Sequence, residues 1–487
     1  CVSEMTSNIL RASAALENQL RRKTYNLSTS MLSEFGGRTG IIPFESSSKD
    51  IIGMALVDKT IEPPIRIMSY ELQTFDNNYL KHCIDDALQY REAMSKQGKL
   101  DIGPKAAYRI INECGDGMPG ITVDAYADYL QVITHSEHWC KHLNYITDYI
   151  MHQTGKKGVY WRSKIKGPLN LFSKHYKGDK LKRYHPDEPF SLVIEENGMK
   201  VGINLEDITS SGLFMDQRAN RRYVTSLFDD RDSGSIMNTF SHTATFSLAP
   251  VLGAQKISTY SIDNSRIYNT MARKNFELNG VSMNFHQIME KDVFSKLLDI
   301  KDKNLGFDVI IIDPPSVANG LRFGTFTTKN RYRELLEMAM PKLNDGGYIV
   351  CFANTRGLRE EQWLRQLGIV DYMADLNKTS PADQNNIDDD TFEDEDEIEG
   401  NREFAPISKM AKHTSPTLPF QRLNGFKMMQ SLEQDVDFRY RVGDERVGKH
   451  LKGVVLKHKV DYSASKYKSP PIELDARGNK RKKKGNV

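Results

Sequence analysis

Three acids, each closing or following an apolar run, are the residues of this chain best placed to do chemistry. Asp263 ends ISTYSID, Asp292 follows MNFHQIM, and Asp313 ends GFDVIIID just ahead of Pro314, Pro315 and Ser316. An acid at the end of a second strand, about 20 residues past the first turn, suits a pair of ribose hydroxyls. Two prolines in a row fix the backbone and remove two donors where a strand ends. They leave an aspartate and bare carbonyls able to hold an amino group or an adenosyl ligand. A proline stop after a buried strand explains the same residues without chemistry; the two preceding acids favour a site.

Such a site needs a scaffold, and residues 235–355 supply the pattern of one. SIMNTF (235–240) reads as a buried strand, followed by the turn SHTATF and a helical stretch. ISTYSID, a helix over Ser265–Leu278, MNFHQIM, FDVIIID and DGGYIVCFANT follow in order. Continuous apolar strands alternating with helices predict a parallel sheet covered on both faces. In such sheets ligands bind at the carboxyl ends of the strands. No Gly-x-Gly-x-x-Gly follows the first strand, which argues against a dinucleotide oxidoreductase.

The chain has 487 residues, 39% hydrophobic and 27% charged, with a net charge of +3. That is room for several domains and an ordinary globular composition. There is no global basic field, so nucleic-acid contact must come from local patches. The five cysteines (Cys1, Cys83, Cys114, Cys140, Cys351) form no Cys-x-x-Cys pair. This fits a reducing compartment and predicts neither a metal site nor a disulfide framework. No apolar run approaches transmembrane length. Residues 1–38 carry Arg11, Arg21, Arg22, Lys23 and Arg38 against three acids. That pattern loosely resembles an organellar transit segment and equally suits a plain surface helix. An organelle (mitochondrion or plastid) and the cytoplasm both stay open as locations.

Before the sheet, GIIPF, DIIGMALVD and IRIMSYEL (within 41–72) suggest a small β module, and 75–96 reads as a docking helix. Two strand patterns then flank a turn rich in Gly115, Gly117, Pro119 and Gly120, and 137–154 looks helical. FSLVIEENGMKVGINL predicts a hairpin about Asn197-Gly198. Asp216, Gln217 and Arg218 open a helix bearing Arg221 and Arg222; the aspartate is either a cap or, with its two neighbours, one wall of the ligand cleft. After Leu367, Asp388–Glu399 holds nine acids in polar surroundings, the composition of a solvated, disordered insert. Residues 437–459 read as a terminal hairpin, and the tail ends in KRKKK (480–484).

Residues 51–367 and 437–459 resemble the RlmI/RlmK-like class I S-adenosylmethionine-dependent methyltransferases of large-subunit ribosomal RNA. The stretches that carry the resemblance are YRIINECGDGMPGITVDAY, VIEENGMKVGINL, SGLFMDQRANRRYV, NTFSHTATFS, SIDNSRIYNTMARKNFELNG, FDVIIIDPPS and IVCFANTRGL, in family order. The resemblance implies that Asp216, Gln217 and Arg218 border the cofactor, S-adenosylmethionine. Phe240, Ser241 and Thr243 would form the loop under its methionine part, Asp263 would bind the ribose, and Asp292 would face the adenine amino group. Asp313, Pro314 and Pro315 would position the target base. RlmI-type proteins begin with a PUA domain, an RNA-binding β module; residues 41–72 look like its end, with the start absent or degenerate.

Two departures qualify the resemblance. The family has glycine where this chain has Ala244 and Thr245, and those side chains restrict both close approach and positive φ. That keeps a second reading alive, an inactive methyltransferase fold that binds RNA or a ribosome precursor. The RlmI branch methylates cytosine carbon 5 with a cysteine after strand five; here Asn354 stands at that position, and Cys351 falls inside the strand. The FANTRG and Asp-Pro-Pro-Ser stretches look instead like the RlmK branch, which methylates nitrogen 7 of guanine. A ring nitrogen attacks directly, so positioning suffices. Asn354 would then bond the base edge, and Arg221, Arg222, Arg331 and Arg333 are expected to touch RNA.

The expected architecture is therefore α/β. A Rossmann-like methyltransferase domain with a mostly parallel seven-stranded sheet (206–460, with an insert at about 370–430) follows an α+β region (74–205) and a partial PUA-like module (41–73). Residues 1–40 would be a leader or extension and 461–487 a basic tail. RNA, and neither a membrane nor a metal, is the expected partner; the sequence is silent on oligomeric state.

Overall fold

The computed structural model describes residues 9–164, 175–207, 209–253, 256–299, 305–320, 324–355, 358–369, 426–441 and 449–458. The acidic stretch Asp388–Glu399 and the basic tail lie outside the described residues.

An N-terminal sheet joins β1 (Leu10–Arg11), β2 (Asn26–Leu27), β3 (Gly40–Glu45), β4 (Ile52–Val57) and β5 (Ile65–Ser69) in the order β1-β3-β4-β5-β2. Helix α1 (Ala14–Arg21) covers it, burying Leu16 and Leu20 against Phe35, Phe44 and Ile67. The boundary expected at residue 40 is thus corrected. It cuts through a single core, since residues 10–35 contribute β1, α1, β2 and Phe35 to the same sheet and core. Two-residue strands carry no alternation to read. The basic residues taken as leader-like belong to this fold too, since Arg21 pairs with Glu17 and with Asp50 at 2.8 Å.

Helix α2 (Asn77–Lys96) leads to a second sheet of β6 (Ala107–Asn112), β7 (Ile121–Tyr126), β8 (Tyr129–Thr134), β9 (Gly158–Ser163) and β10 (His175–Gly178), with α3 (Leu143–Thr154) between β8 and β9. Asp76 caps α2 by accepting from Asn78 N and Tyr79 N. The next hairpin, β11 (Val193–Glu196) and β12 (Met199–Gly202), turns as expected on Asn197 and Gly198, both with positive φ (49° and 80°).

The third sheet contains β13 (Gly234–Thr239), β14 (Ile257–Asp263), β15 (His286–Glu290), β16 (Phe307–Ile312), β19 (Leu343–Asn354), β20 (Phe426–Glu433) and β21 (Leu451–His458), in the order β15-β14-β13-β16-β19-β21-β20. A small hairpin, β17 (Val317–Gly320) and β18 (Gly324–Thr327), leaves the sheet after β16. The first five strands are parallel, and β21 runs antiparallel to both β19 and β20. The seven strands and their direction match the expectation. The terminal hairpin differs, because its first strand is Phe426–Glu433, which lies before Asp437 and begins inside the span assigned to the insert.

Helices flank both faces: α4 (Arg218–Ser226), α5 (Thr245–Gly253), α6 (Arg266–Leu278), α7 (Val293–Asp299), α8 (Thr328–Ala339) and α9 (Glu360–Leu367). Alternate residues of β16 serve the two cores. Ile310 and Ile312 join Phe294, Leu335, Leu336 and Trp363 on one side. Val309 and Ile311 join Val224, Phe246 and Phe352 on the other. This double burial is why the strand reads as an unbroken apolar run.

Buried ion pairs lock the second sheet to the third through the segment after β20. Arg218 bonds Asp435 at 2.7 Å, Asp437 at 3.1 Å and the Ala107 carbonyl at 2.7 Å. Arg109 N donates to Asp437 Oδ2 at 2.7 Å, and Arg91 holds Asp116 with both nitrogens while reaching the Asp437 carbonyl. Gly115 lets this segment pass, for a Cβ there would sit 1.9 Å from the Arg439 carbonyl oxygen.

Candidate active site

The carboxyl ends of β13, β14, β16 and β19 lie side by side at one edge of the sheet, where ligands bind in such folds, and the loop after β13 has unusual backbone. Phe240, His242 and Ala244 all have positive φ (56°, 50° and 59°). Left-handed backbone in non-glycine residues is strained by roughly 1–3 kcal/mol each and clusters where ligands bind. The loop is tied down at every step. Ser241 N donates to the Ile262 carbonyl (3.0 Å), His242 N to Asp263 Oδ2 (2.8 Å), Thr243 Oγ1 to the Gly212 carbonyl (2.7 Å) and Ala244 N to the Ser241 carbonyl (2.7 Å). The Ala244 methyl points into the core with Leu213, Ala272 and Phe276. Its effect is therefore backbone strain and not a blocked approach.

Asp263 accepts a second backbone bond from Ser265 N at 2.8 Å and keeps lone pairs on both oxygens. Burial raises its carboxyl above the usual range, against the pull of the Ser265 and His242 N–H groups. Aromatic rings stand beside it: His242 lies 4.1 Å from Tyr268 and 4.7 Å from Phe214, which is 45% exposed. Burial pushes the His242 imidazole down to about 3, so it stays neutral. Asp292 caps α7, with Oδ1 accepting from Ser295 N at 2.8 Å.

On the other side of the cleft two carboxylates meet under opposite influences. Burial, then the nearby Asp216 charge, lifts Asp313 to about 7, opposed by the Gln217 bond and the Arg221 charge. Gln217 Nε2 donates to Asp313 Oδ2 at 3.1 Å. Burial works on Asp216 in the same direction, but the His450 bond and the charges of His450, Arg109 and Arg221 hold it below the usual range. Neighbouring acids pushed apart in this way are the pattern of a working site. The Asp-Pro-Pro-Ser turn is clamped in place. Tyr332 Oη donates to the Ile312 carbonyl (2.9 Å), Thr328 Oγ1 to that of Pro315 (3.2 Å) and Ser316 Oγ to that of Asn354 (2.7 Å). Asn354, exposed at the end of β19, is thereby fixed beside the turn.

A family model described as S-adenosylmethionine-dependent methyltransferase matches residues 113–366, more than half of the chain. The chain belongs to this family. The methyltransferase is 29% identical over 294 residues to ribosomal RNA large subunit methyltransferase I of Pseudoalteromonas atlantica, covering 59% of this chain and 70% of that one. The Aeromonas salmonicida protein of the same name is 28% identical over 308 residues, covering 63% and 74%. Among solved structures, a candidate SAM-dependent methyltransferase from Streptococcus mutans superposes with a TM-score of 0.68 over 92% of this chain and 99% of that one. At 20% identity that likeness speaks for the fold.

The methyltransferase's cofactor is S-adenosylmethionine, which supplies an electrophilic methyl group on a sulfonium. The cleft fits it: Ser241 Oγ and His242 Nε2 are buried polar atoms without a partner among the described residues, and they flank the Asp263 carboxylate.

The structure separates the residues expected at the site. Asp216, Gln217 and Asp313 come together, with Asn354 joined to the Asp313 turn through Ser316; Phe240–Ala244 and Asp263 lie together at the ends of β13 and β14. Arg218 does not border the cleft, because its guanidinium is spent on Asp435 and Asp437. Arg221 is no RNA contact: it is 1% exposed and pairs with Glu196 through both Nε (2.6 Å) and Nη2 (2.7 Å). Arg331 and Arg333 are half-buried and paired with Glu334 and Glu337, and Arg222 is exposed beside a groove of about 290 Å³ lined by Lys99, Glu195 and Asn197. The sequence reading missed His450, whose partner Asp216 lies 234 residues away in the chain. It also missed Asp435 and Asp437, for which a paired Asp-x-Asp after a strand was the available signal.

Among the described residues no cluster of three or more His, Cys, Asp or Glu side chains could hold a metal ion. No helix among them is long and apolar enough to cross a membrane.

Proposed function

We propose that this methyltransferase modifies a base of large-subunit ribosomal RNA, at a guanine nitrogen and not at cytosine carbon 5. Large-subunit ribosomal RNA is the substrate class in the names of its relatives. The observation that carries the choice of base is the chemistry at the end of β19. Carbon-5 methylation needs a thiolate to add to the ring first. The position beside the Asp313 turn is Asn354, while Cys351 is fully buried against Tyr332 and held up at about 12 by that burial. A thiol that cannot ionise and cannot reach the cleft is no nucleophile.

A guanine nitrogen carries its own lone pair. Asp313 accepts from the base's amino group, Asn354 bonds its edge, and the two prolines hold both in register. Asp263 takes the ribose hydroxyls of the donor, Phe240, Ser241 and Thr243 cradle its methionine part, and the Asp292 carboxylate receives the adenine amino group. Arg222 contributes a cation to the RNA face.

The test is transfer of labelled methyl groups from S-adenosylmethionine to deproteinised large-subunit ribosomal RNA. Cys351→Ser should transfer at the wild-type rate and Asn354→Ala at least about 10-fold more slowly. Loss of transfer in Cys351→Ser would defeat the proposal.

A further inference from the structure

One face of the second sheet packs through Tyr126 and Tyr160 on Leu213, Ala244 and Leu248 of the methyltransferase domain, and that face carries an arginine that the site as described does not use. Arg162 on β9 is 4% exposed. Its Nε has no partner, and no hydrogen bond or ion pair to its guanidinium is formed among the described residues.

The acidic and phenolic groups that act on its charge, Tyr126, Asp207, Asp124 and Tyr268, make no hydrogen bond or ion pair to it among the described residues. Asp124 is held by Arg109 at 2.7 and 3.1 Å, Asp207 Oδ1 by Thr209 N at 2.8 Å, and Tyr126 Oη by Ser211 Oγ at 2.7 Å. Tyr126, on the same sheet face as Arg162, bonds Ser211, the neighbour of Gly212 whose carbonyl accepts from Thr243 Oγ1, so this face meets the loop after β13 across the domain junction.

A second orphan stands on the same sheet face. Gln131 on β8 pairs with Tyr160, two residues before Arg162, which puts both side chains on one side at diagonal spacing. Gln131 is 3% exposed, and its Nε2 also lacks a partner. Two buried side chains with unmet N–H donors, one of them a guanidinium, suit an oxyanion. A buried unpaired cation is otherwise strongly unfavourable.

We propose that Arg162 and Gln131 form an oxyanion subsite between the second sheet and the methyltransferase sheet, filled by the amino-acid carboxylate of the donor or by a backbone phosphate of the RNA. The phosphate alternative rests on the RNA reading above; the carboxylate alternative does not. A fork of guanidinium donors matches the two oxygens of either group. The subsite would make the second domain part of the ligand's enclosure and not merely a support for the sheet.

Titration of the full chain with S-adenosylhomocysteine, with its decarboxylated analogue and with a large-subunit ribosomal RNA transcript tests this. Arg162→Gln should weaken one oxyanion-bearing ligand by about 10- to 100-fold, the range for a charge-assisted bond, and Gln131→Leu should weaken the same ligand by less. A loss toward S-adenosylhomocysteine, with the decarboxylated analogue binding wild type and variant alike, assigns the carboxylate. An unchanged S-adenosylhomocysteine affinity with weaker RNA binding and a salt slope lower by about one assigns a phosphate. The melting temperature of Arg162→Gln without ligand should not fall, since an unpaired buried charge has been removed. Unchanged affinity for both ligands in both variants overturns the subsite, as does an equal loss toward the decarboxylated analogue. A wild type that binds neither ligand would refute the methyltransferase reading along with it.

Discussion

His450 Nε2 lies 3.0 Å from Asp216 Oδ2, tying the start of the last strand to the turn that opens α4. The next residue after Asp216, Gln217, holds Asp313. The last strand therefore bears on the acid at the centre of the cleft through two residues.

Replacing His450 by Ala should remove this brace. Asp216 is held below its ordinary value, so the stabilisation it brings is present above the usual carboxylate range and fades as pH falls through its folded value. A loss of about 1–3 kcal/mol is expected at pH 7, typical for a bond to a charged group, shrinking toward pH 3. Urea unfolding at the two pH values checks it.

Asp313 has the opposite sign. Its carboxyl is raised to about 7, so its favourable contribution is complete below pH 4 and is lost as pH rises through 7. Asp313→Asn should therefore melt higher than wild type at pH 8 and nearly alike at pH 4. The same variant should lose methyl transfer by about 100-fold or more, the scale for a lost acceptor at a reacting centre. Wild-type transfer should increase as pH rises through 7. A variant that melts lower at pH 8 would contradict the assignment.

Arg221 and Arg222 are neighbours in sequence with different expected outcomes. Arg221→Ala leaves buried Glu196 with only Arg218 Nε at 3.8 Å, and breaking a buried pair costs about 3–5 kcal/mol. The salt dependence of RNA binding should not move in the folded fraction. Arg222→Ala should leave stability nearly unchanged and lower the salt slope by about one. Denaturant midpoints and binding measured at several salt concentrations separate the two.

Ala244→Gly should be close to neutral for stability. Relief of positive φ gains about 1 kcal/mol, and loss of a buried methyl takes back a similar amount. Donor affinity should change by less than about threefold, because the methyl faces the core. A tenfold gain would show that the alanine weakens the cofactor loop after all.

The sheet was legible because strands buried on both faces leave unbroken apolar runs, as at Phe307–Ile312. Asp263 and Asp313 were legible because they end such runs. The first two strands were not, since two residues carry no period. Arg218 and Arg221 were misassigned because an arginine shows its charge in sequence but not its partner. Arg218 finds Asp435 from 217 residues away, and Arg221 finds Glu196 on a separate hairpin. His450 and Arg162 escaped notice for the same reason: one is defined by a distant carboxylate, the other by the lack of one.

The most direct test of the account is nucleoside mass spectrometry of large-subunit ribosomal RNA after incubation with the methyltransferase and isotopically labelled S-adenosylmethionine. The account predicts label in a guanosine methylated on nitrogen, absent with Asp313→Asn and retained with Cys351→Ser. Label in 5-methylcytidine that disappears with Cys351→Ser would contradict it.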